Sequence, residues 1–385
     1  NGIVTDSILT QDDVSQEKRS SLIGSVLESG LAGWVKRNLQ PGLITDTKTD
    51  DRWITLKSQS YATRSALAVP VLRHDELFGI ITLMHPEPSH FNETTINPVQ
   101  QAANQMAMTI ENAKLYRELE KTKQAVEKYS NLLNFELEQG KKIQNDFLPS
   151  SLPEVSNCDI AAFFKSALQL SGDFYDVFEL PGGQLAFVVG DVSGKGVGSA
   201  LFMALTRSLL RIFSGAFFNR SELLGNRDLL DVVSMINEYL AAEHGDDGTF
   251  VTLIFGFLNT ASGVCRFINA GHEPVMIIDK NGIKQELNAT GPVLGVIPEA
   301  DWDSHEIRLE KGDVIFGYTD GVTEARSSSR ELFTRRRLEA LMEEGPESSV
   351  ELFLEQVKKR IVQFTANAPQ SDDITMLAVR WDPAD

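Results

Sequence analysis

The sequence predicts an α+β fold in which one long helix joins two compact units, the second being a mostly antiparallel β-sandwich flanked by helices. Three observations predict it. At 385 residues, with 42% hydrophobic and 23% charged side chains, the chain is globular and long enough to bury two cores. Between about residues 98 and 147 no strong helix breaker occurs, and the composition shifts to Glu, Lys, Gln and Leu, as one continuous helix requires. From about residue 154 onward, strand-like apolar runs recur and meet through short Gly or Asn turns such as Lys280-Asn281-Gly282, the connection antiparallel neighbours use.

In chain order, "GSVLESGLAGWVKRNLQPGLITD" predicts a short helix over Leu31 to Asn38, stopped by Pro41-Gly42 and followed by a strand. "SALAVPVLRHDELFGIITLM" predicts two strands, 65–72 and 77–84, around a polar hairpin loop containing His74 and Asp75. With the helix "INPVQQAANQMAMTIENAKLY" after them, these pieces resemble the GAF sensory fold, an α/β domain assigned here to residues 1–97. A GAF domain ordinarily opens with a helix and a strand that this sequence lacks, and the chain enters abruptly at Asn1; the expectation is a piece of a longer protein. The resemblance leaves the GAF ligand unknown. The cyclic-nucleotide Asn-Lys...Phe...Asp-Glu pattern is not evident, and no cysteine in that half could carry a bilin. A small-molecule sensor and a purely structural dimer stand as equal readings.

Residues 98–149 form the expected linker. Leu119, Val126, Leu133, Gly140 and Phe147 recur at heptad spacing, with Leu115, Thr122, Tyr129, Glu136 and Ile143 on the companion stripe. Thr122, Glu136 and Gly140 interrupt the seam, which predicts a marginal, switchable coiled-coil homodimer. A single amphipathic helix packed on its own domain is the alternative. "PSSLP", residues 149–153, ends the helix.

Strands are then expected at "QLAFVVGDV", "FVTLIFGFLN", "VCRFINAG", "PVMIIDKNG", "GDVIFGYTDGV" and "DITMLAVRW", with helices around 198–213, 227–243, 331–343 and 348–366. A net charge of −18 repels nucleic acid and anionic lipid while leaving carboxylates for divalent cations. Cys158 and Cys265 form no metal-type pair or disulfide framework, which points to a reducing cytoplasm. No run approaches the roughly 20 apolar residues that span a bilayer, and "NGIVTDSILT" is unlike a signal peptide, so no membrane is expected for the visible chain.

The chemistry resides in four acidic turns. "LSGDFYDVF" carries Asp173, "VVGDVSG" carries Asp191, "FGYTDGV" carries Asp320, and "QSDDIT" carries Asp372 and Asp373, each read as lying at a strand end. One Asp beside Gly is an ordinary turn residue; several at neighbouring strand ends can hold Mg²⁺ or Mn²⁺, which take oxygen ligands. Two such ions about 3.5–4 Å apart could share a carboxylate and a nucleophilic water.

The set "SGDFYDVF", "GDVSGKGVGSAL", "NAGHEPVMII", "GPVLGV", "GDVIFGYTDGVTEA" and "SDDITMLAVR" resembles the SpoIIE/RsbU-type branch of the PPM (PP2C-like) metal-dependent protein serine/threonine phosphatases, across residues 150–385. The resemblance implies a catalytic pair, Asp191 and Asp320, and two Mn²⁺ or Mg²⁺ ions. Asp191 would bridge them, with the Val192 carbonyl on one; Asp320 and Asp372 would complete the other, and Asp173 would serve the second. Asp373 stands where many relatives have Asn and takes a supporting role. Ser171, Gly198-Ser199 and Glu273 depart from the family's usual Gly, Pro-Ala and Asn, and none of the three removes a carboxylate.

Gly190 to Gly196 is not a phosphate-binding P-loop, because three residues rather than four separate Gly190 from Gly194 and Gly196 stands where Ser or Thr would be. Its glycines let the backbone turn beside the metal bridge. Lys195 either touches phosphate or is solvated, and His272 either acts as a general acid or orients a turn. Cys265 follows strand alternation and reads as packing. No Gly-x-Ser-x-Gly elbow or Cys-based signature is present. The resemblance thus implies a GAF-controlled phosphatase acting on phosphoserine or phosphothreonine of a partner, typically a STAS-type anti-anti-sigma factor in partner switching that regulates a sigma factor. A catalytically silent scaffold binding a phosphorylated partner is the alternative.

Overall fold

The computed structural model describes residues 28–54, 62–218, 228–245, 248–343, 345–346, 349–366 and 368–383. The opening segment read above as unlike a signal peptide lies outside these residues. The chain forms two units, Asn1–Ser130 and Asn131–Asp385.

In the first unit, helix α1 (Leu31–Asn38) precedes an antiparallel sheet of order β1 (Gly42–Ile44), β2 (Ser65–Arg73), β3 (Glu76–His85). The hairpin turns at His74 and Asp75, whose φ values of 46° and 66° are those a tight two-residue connection needs. Strand β2 is buried on both faces. Leu67, Val69 and Val71 point to one core, and Ala66 and Ala68 to the other, where Leu31 and Val35 of α1 pack.

Helix α2 (Glu93–Phe147) runs across the division between the units. It begins five residues before Pro98 because Asn92 caps it: Asn92 Oδ1 accepts the Thr94 N–H at 3.0 Å, and Thr95 Oγ1 accepts the Asn92 N–H at 2.9 Å. Pro98 therefore lies inside the helix and forgoes one backbone hydrogen bond. Ala103 and Ala107 are buried, whereas Leu119, Val126 and Leu133 expose 64%, 61% and 58% of their surface.

The second unit is a sandwich of two five-stranded antiparallel sheets between helical layers. One sheet has the order β10 (Gly282–Leu287), β9 (Val275–Asp279), β12 (Val314–Tyr318), β13 (Ile374–Trp381), β4 (Cys158–Lys165). The other has the order β11 (His305–Arg308), β8 (Val264–Ala270), β7 (Val251–Asn259), β6 (Gln184–Val192), β5 (Phe174–Leu180). Side-chain alternation builds both interfaces. Leu185, Phe187 and Val189 of β6 meet Ile315, Leu377 and Val379 between the sheets. Ala186, Val188 and Val192 face away, toward α3 (Val197–Phe218) and α4 (Asp228–His244). The opposite sheet packs Phe316 and Met376 outward against α6 (Arg335–Met342) and α7 (Val350–Thr365).

Strands β4, β5, β10 and β11 are absent from the sequence expectation; β5 begins immediately after Asp173, so that acidic turn opens a strand. Helix α6 starts at Arg335 instead of 331, because the Arg326–Leu332 bridge closes a tight turn over the intervening residues, with Arg330 at φ 66°. Residues 227 and 348, the expected starts of α4 and α7, lie outside the described residues. Among the described residues one helix, Val197–Phe217, is long and apolar enough by composition to cross a membrane, which corrects the expectation that no run approaches that length. Its Met203 and Leu210 are fully buried in the second unit's core. An ion cluster ties this helix to β5: the buried Asp176 carboxylate pairs with the Arg207 guanidinium at 2.9 Å and accepts from Arg211 Nε at 2.5 Å.

Candidate active site

The aspartates gather where β5, β6, β12 and β13 end. Asp173 directly precedes β5 and Asp191 is the penultimate residue of β6; the Phe174–Gly190 register brings the two together. Asp320 corrects the expectation of a strand end, because it opens a one-turn helix, α5 (Asp320–Thr323), two residues beyond β12. Asp372 and Asp373 lead into β13.

Two glycines permit the close approach. A Cβ on Gly172 would lie 2.6 Å from the Val192 carbonyl oxygen and 3.3 Å from Asp191 Oδ1; one on Gly321 would lie 1.8 Å from the Asp373 carbonyl oxygen. No larger residue fits at either point. The Val192 carbonyl thus stands beside the Asp191 carboxylate.

Each carboxylate has its own fixings. Asp173, 2% exposed, accepts at Oδ2 from Thr319 Oγ1 and Thr375 Oγ1, both at 2.7 Å. Asp373 accepts the Ala167 N–H at 2.7 Å and the Gly172 N–H at 3.2 Å, so it staples the loop before Asp173. Asp372 pairs with Lys195 Nζ at 2.9 Å, and Lys195 also donates to the Ser371 carbonyl at 3.0 Å. Lys195 is therefore exposed to solvent and at the same time engaged with the acidic loop.

Burial and mutual repulsion set the charges. Burial pushes Asp191 up to about 7, helped by Asp320, and pushes Asp320 up to about 6, helped by Asp372. Asp173 is held well above the carboxylate range by burial and then by Asp191, against the two threonine hydroxyls. An all-oxygen donor set with excess negative charge and a single lysine fits a hard divalent cation. Among the described residues, three potential ligand atoms lie within 4.8 Å of one another only at His85, Glu87 and His90, so no three of these carboxylates reach that spacing. The His85 and His90 rings stack 3.4 Å apart, and parallel rings aim their in-plane lone pairs apart.

His272 is buried, faces Thr252 Oγ1 at 3.0 Å, and is pushed down to about 4 by burial, so it is neutral at ordinary pH. Thr252 pairs with Asp191 across the sheet, so His272 contacts the strand neighbour of an acidic-site residue. Cys158 and Cys265 pack between the sheets, and burial pushes their thiols up to about 11 and about 12, away from the thiolate form a nucleophile needs.

Sequence reasoning overlooked Thr319, Thr375 and Gln144. Gln144, near the end of α2, donates from Nε2 to the Ser171 carbonyl at 2.7 Å and accepts the Ser171 N–H at 3.1 Å. Thr319 adjoins Asp320 in "YTDG", a visible signal; Thr375 and Gln144 are related to the site only through folding.

A double antiparallel sandwich with carboxylates at its strand ends defines the PP2C class of fold. The family described as Stage II sporulation protein E (SpoIIE) matches residues 181–382, and the chain belongs to that family of PP2C-type phosphatases. The GAF domain family matches residues 5–111. Protein IcfG of Synechocystis sp. is 41% identical over 276 residues, 67% of this chain and 43% of that protein. Phosphoserine phosphatase RsbU of Bacillus subtilis is 27% identical over 246 residues, 64% of this chain and 70% of that protein. This chain thus spans less than half the length of IcfG. Among solved structures, the SiaA PP2C domain of Pseudomonas aeruginosa aligns with a TM-score of 0.56 at 22% identity, covering 66% of this chain and 98% of that one, a likeness of fold.

Proposed function

We propose that the chain hydrolyses phosphoserine or phosphothreonine on a partner protein at the aspartate cluster. We take the partner to be a STAS-domain anti-anti-sigma factor, and the place of action to be the cytoplasm. The functional division is a GAF domain over 1–97, a linker over 98–149 that pairs two chains, and a phosphatase domain over 150–385. The single observation that carries this reading is the convergence of Asp173, Asp191 and Asp320 at neighbouring strand ends, where burial raises all three carboxyls, Asp191 further raises Asp173, and Asp320 further raises Asp191. The relative named a phosphoserine phosphatase supports the substrate class.

Asp173, Asp191, Asp320 and Asp372, with the Val192 carbonyl, would hold two Mn²⁺ or Mg²⁺ ions, which supply a nucleophilic water at neutral pH and polarise the phosphoryl oxygens. Asp191 is central because it lies between Asp173 across the sheet and Asp320 in the opposing layer. Thr319 and Thr375 fix the Asp173 carboxylate, and Lys195 fixes Asp372. Cys265 is buried and Cys158 half-buried, and burial pushes both thiols up, which disfavours a cysteine nucleophile. The test is release of phosphate from p-nitrophenyl phosphate and a phosphothreonine peptide with Mn²⁺ or excess EDTA. Turnover that needs Mn²⁺ and is lost in Asp320→Asn supports the reading; EDTA-resistant turnover rejects it.

A further inference from the structure

Beside the aspartates lies a cleft that the chemistry above does not use. It runs between the last turns of α7, the end of β4 and the segment after α5, has a volume of about 150 Å³, is open to solvent, and reaches Asp372. Phe163, Ile361 and Ile374 give it an apolar lining, and Lys165, Arg326 and Lys358 give it a basic one. Asp372 is the one carboxylate there, and Lys195 already pairs with it. Lys358 bonds Glu355 at 2.8 Å and lies over the Phe163 ring at 5.0 Å. Among the described residues, Lys165 and Arg326 have no carboxylate partner, and both are exposed.

Three cations around one apolar cleft run against the field of a chain whose net charge is −18. Such a concentration attracts an anion, and the apolar lining asks for an aliphatic or aromatic neighbour to that anion. The wall is also fixed to the acidic site. Gln370 Nε2 donates to the Lys165 carbonyl and the Asp372 carbonyl, both at 2.8 Å, and Lys195 holds the Ser371 carbonyl at 3.0 Å. Whatever occupies the cleft is thereby held in register with Asp372 and its neighbour Asp320.

We propose that this cleft binds the stretch of the phosphoprotein substrate next to the phosphorylated residue, taking one acidic and one apolar side chain from it, and so selects the substrate. The inference rests on the phosphatase reading and adds a specificity surface to it. The acidic side chain lies between Lys165 and Arg326, and the apolar one lies on Phe163, Ile361 and Ile374. Neither group takes part in bond breaking.

The test uses the full chain, the double variant Lys165→Ser/Arg326→Ser, and three substrates. These are a phosphothreonine peptide flanked by Asp and Leu, the same peptide flanked by Lys and Ser, and p-nitrophenyl phosphate, which has no flank. The wild type is expected to prefer the Asp-Leu peptide in kcat/KM by about tenfold, and the variant to lose most of that preference through KM. Turnover of p-nitrophenyl phosphate stays within about twofold, because neither side chain reaches the reacting group. A preference unchanged in the variant, or equal losses on all three substrates, would overturn the proposal. If the wild type cleaves none of the three, the phosphatase reading fails on its own. Fluorescence anisotropy of the labelled peptides then decides the cleft: tighter Asp-Leu binding lost in the variant supports it, and equal binding by both proteins rejects it.

Discussion

Gln144 and Ser171 exchange two hydrogen bonds, one in each direction, between the end of the long helix and the turn that carries Asp173. The helix whose other end belongs to the first unit thus touches the acidic site two residues from a candidate metal ligand. Replacing Gln144 with Ala leaves a buried N–H and C=O of Ser171 unpaired, at a cost of about 1–3 kcal/mol in stability. We expect Gln144→Ala to lower the melting temperature and raise the Mn²⁺ concentration needed for half-maximal turnover. Both effects are read by calorimetry and a metal titration.

Thr375 is the second donor to Asp173, and valine has nearly its shape. Thr375→Val should weaken Mn²⁺ binding by about 10- to 100-fold, the usual effect of losing a partner that orients a ligand. Stability changes far less, so equilibrium binding of Mn²⁺ separates this from a folding defect.

The raised carboxyls give the metal-free protein a pH signature. Asp191 and Asp320 titrate at about 7 and about 6 when folded, against 3.8 for the free group. The folded state therefore holds these protons more tightly than the unfolded chain. Their stabilisation is complete below pH 3.8 and is lost as pH rises to about 7. In EDTA, the wild type should lose stability over that window relative to Asp191→Asn. Saturating Mn²⁺ should remove the difference at neutral pH, where the cation takes the place of the protons. Melting temperatures against pH, with and without Mn²⁺, show it.

Asp176 lies fully buried against Arg207 and Arg211. Removing it strands the buried Arg207 guanidinium at the α3–β5 interface, so Asp176→Ala should cost about 3–5 kcal/mol. Urea denaturation monitored by tryptophan fluorescence measures the loss.

The exposed Leu119, Val126 and Leu133 lie on the predicted heptad seam. Val126→Asp should shift the chain from dimer to monomer, and Glu136→Leu should tighten the dimer, both seen by light scattering after size exclusion. Gly140 is unsuited to the same test: a Cβ there would lie 3.6 Å from the Leu170 side chain, so a leucine would press on its own unit.

The apolar runs of the sandwich were legible because each alternates between two buried faces, as in β6 and β13. Strands β5 and β11 were not, since "FYDVFEL" interleaves Asp176 and Glu179 and "HEIR" is short and polar; only pairing with β6 and β8 makes them strands. The acidic turns were legible as types and order. Their fixings were not, because Thr375 and Gln144 meet Asp173 and Ser171 across long stretches of chain. The Lys195–Asp372 pair and the Asp320 helix were hidden for the same reason: each depends on which turns the sandwich stacks.

Calorimetric titration of Mn²⁺ into the full chain decides whether the aspartate cluster is a metal centre. The wild type should bind two ions, and Asp191→Asn should lose at least one while melting in EDTA no lower than the wild type. Identical Mn²⁺ binding by the two folded proteins would contradict a metal centre there.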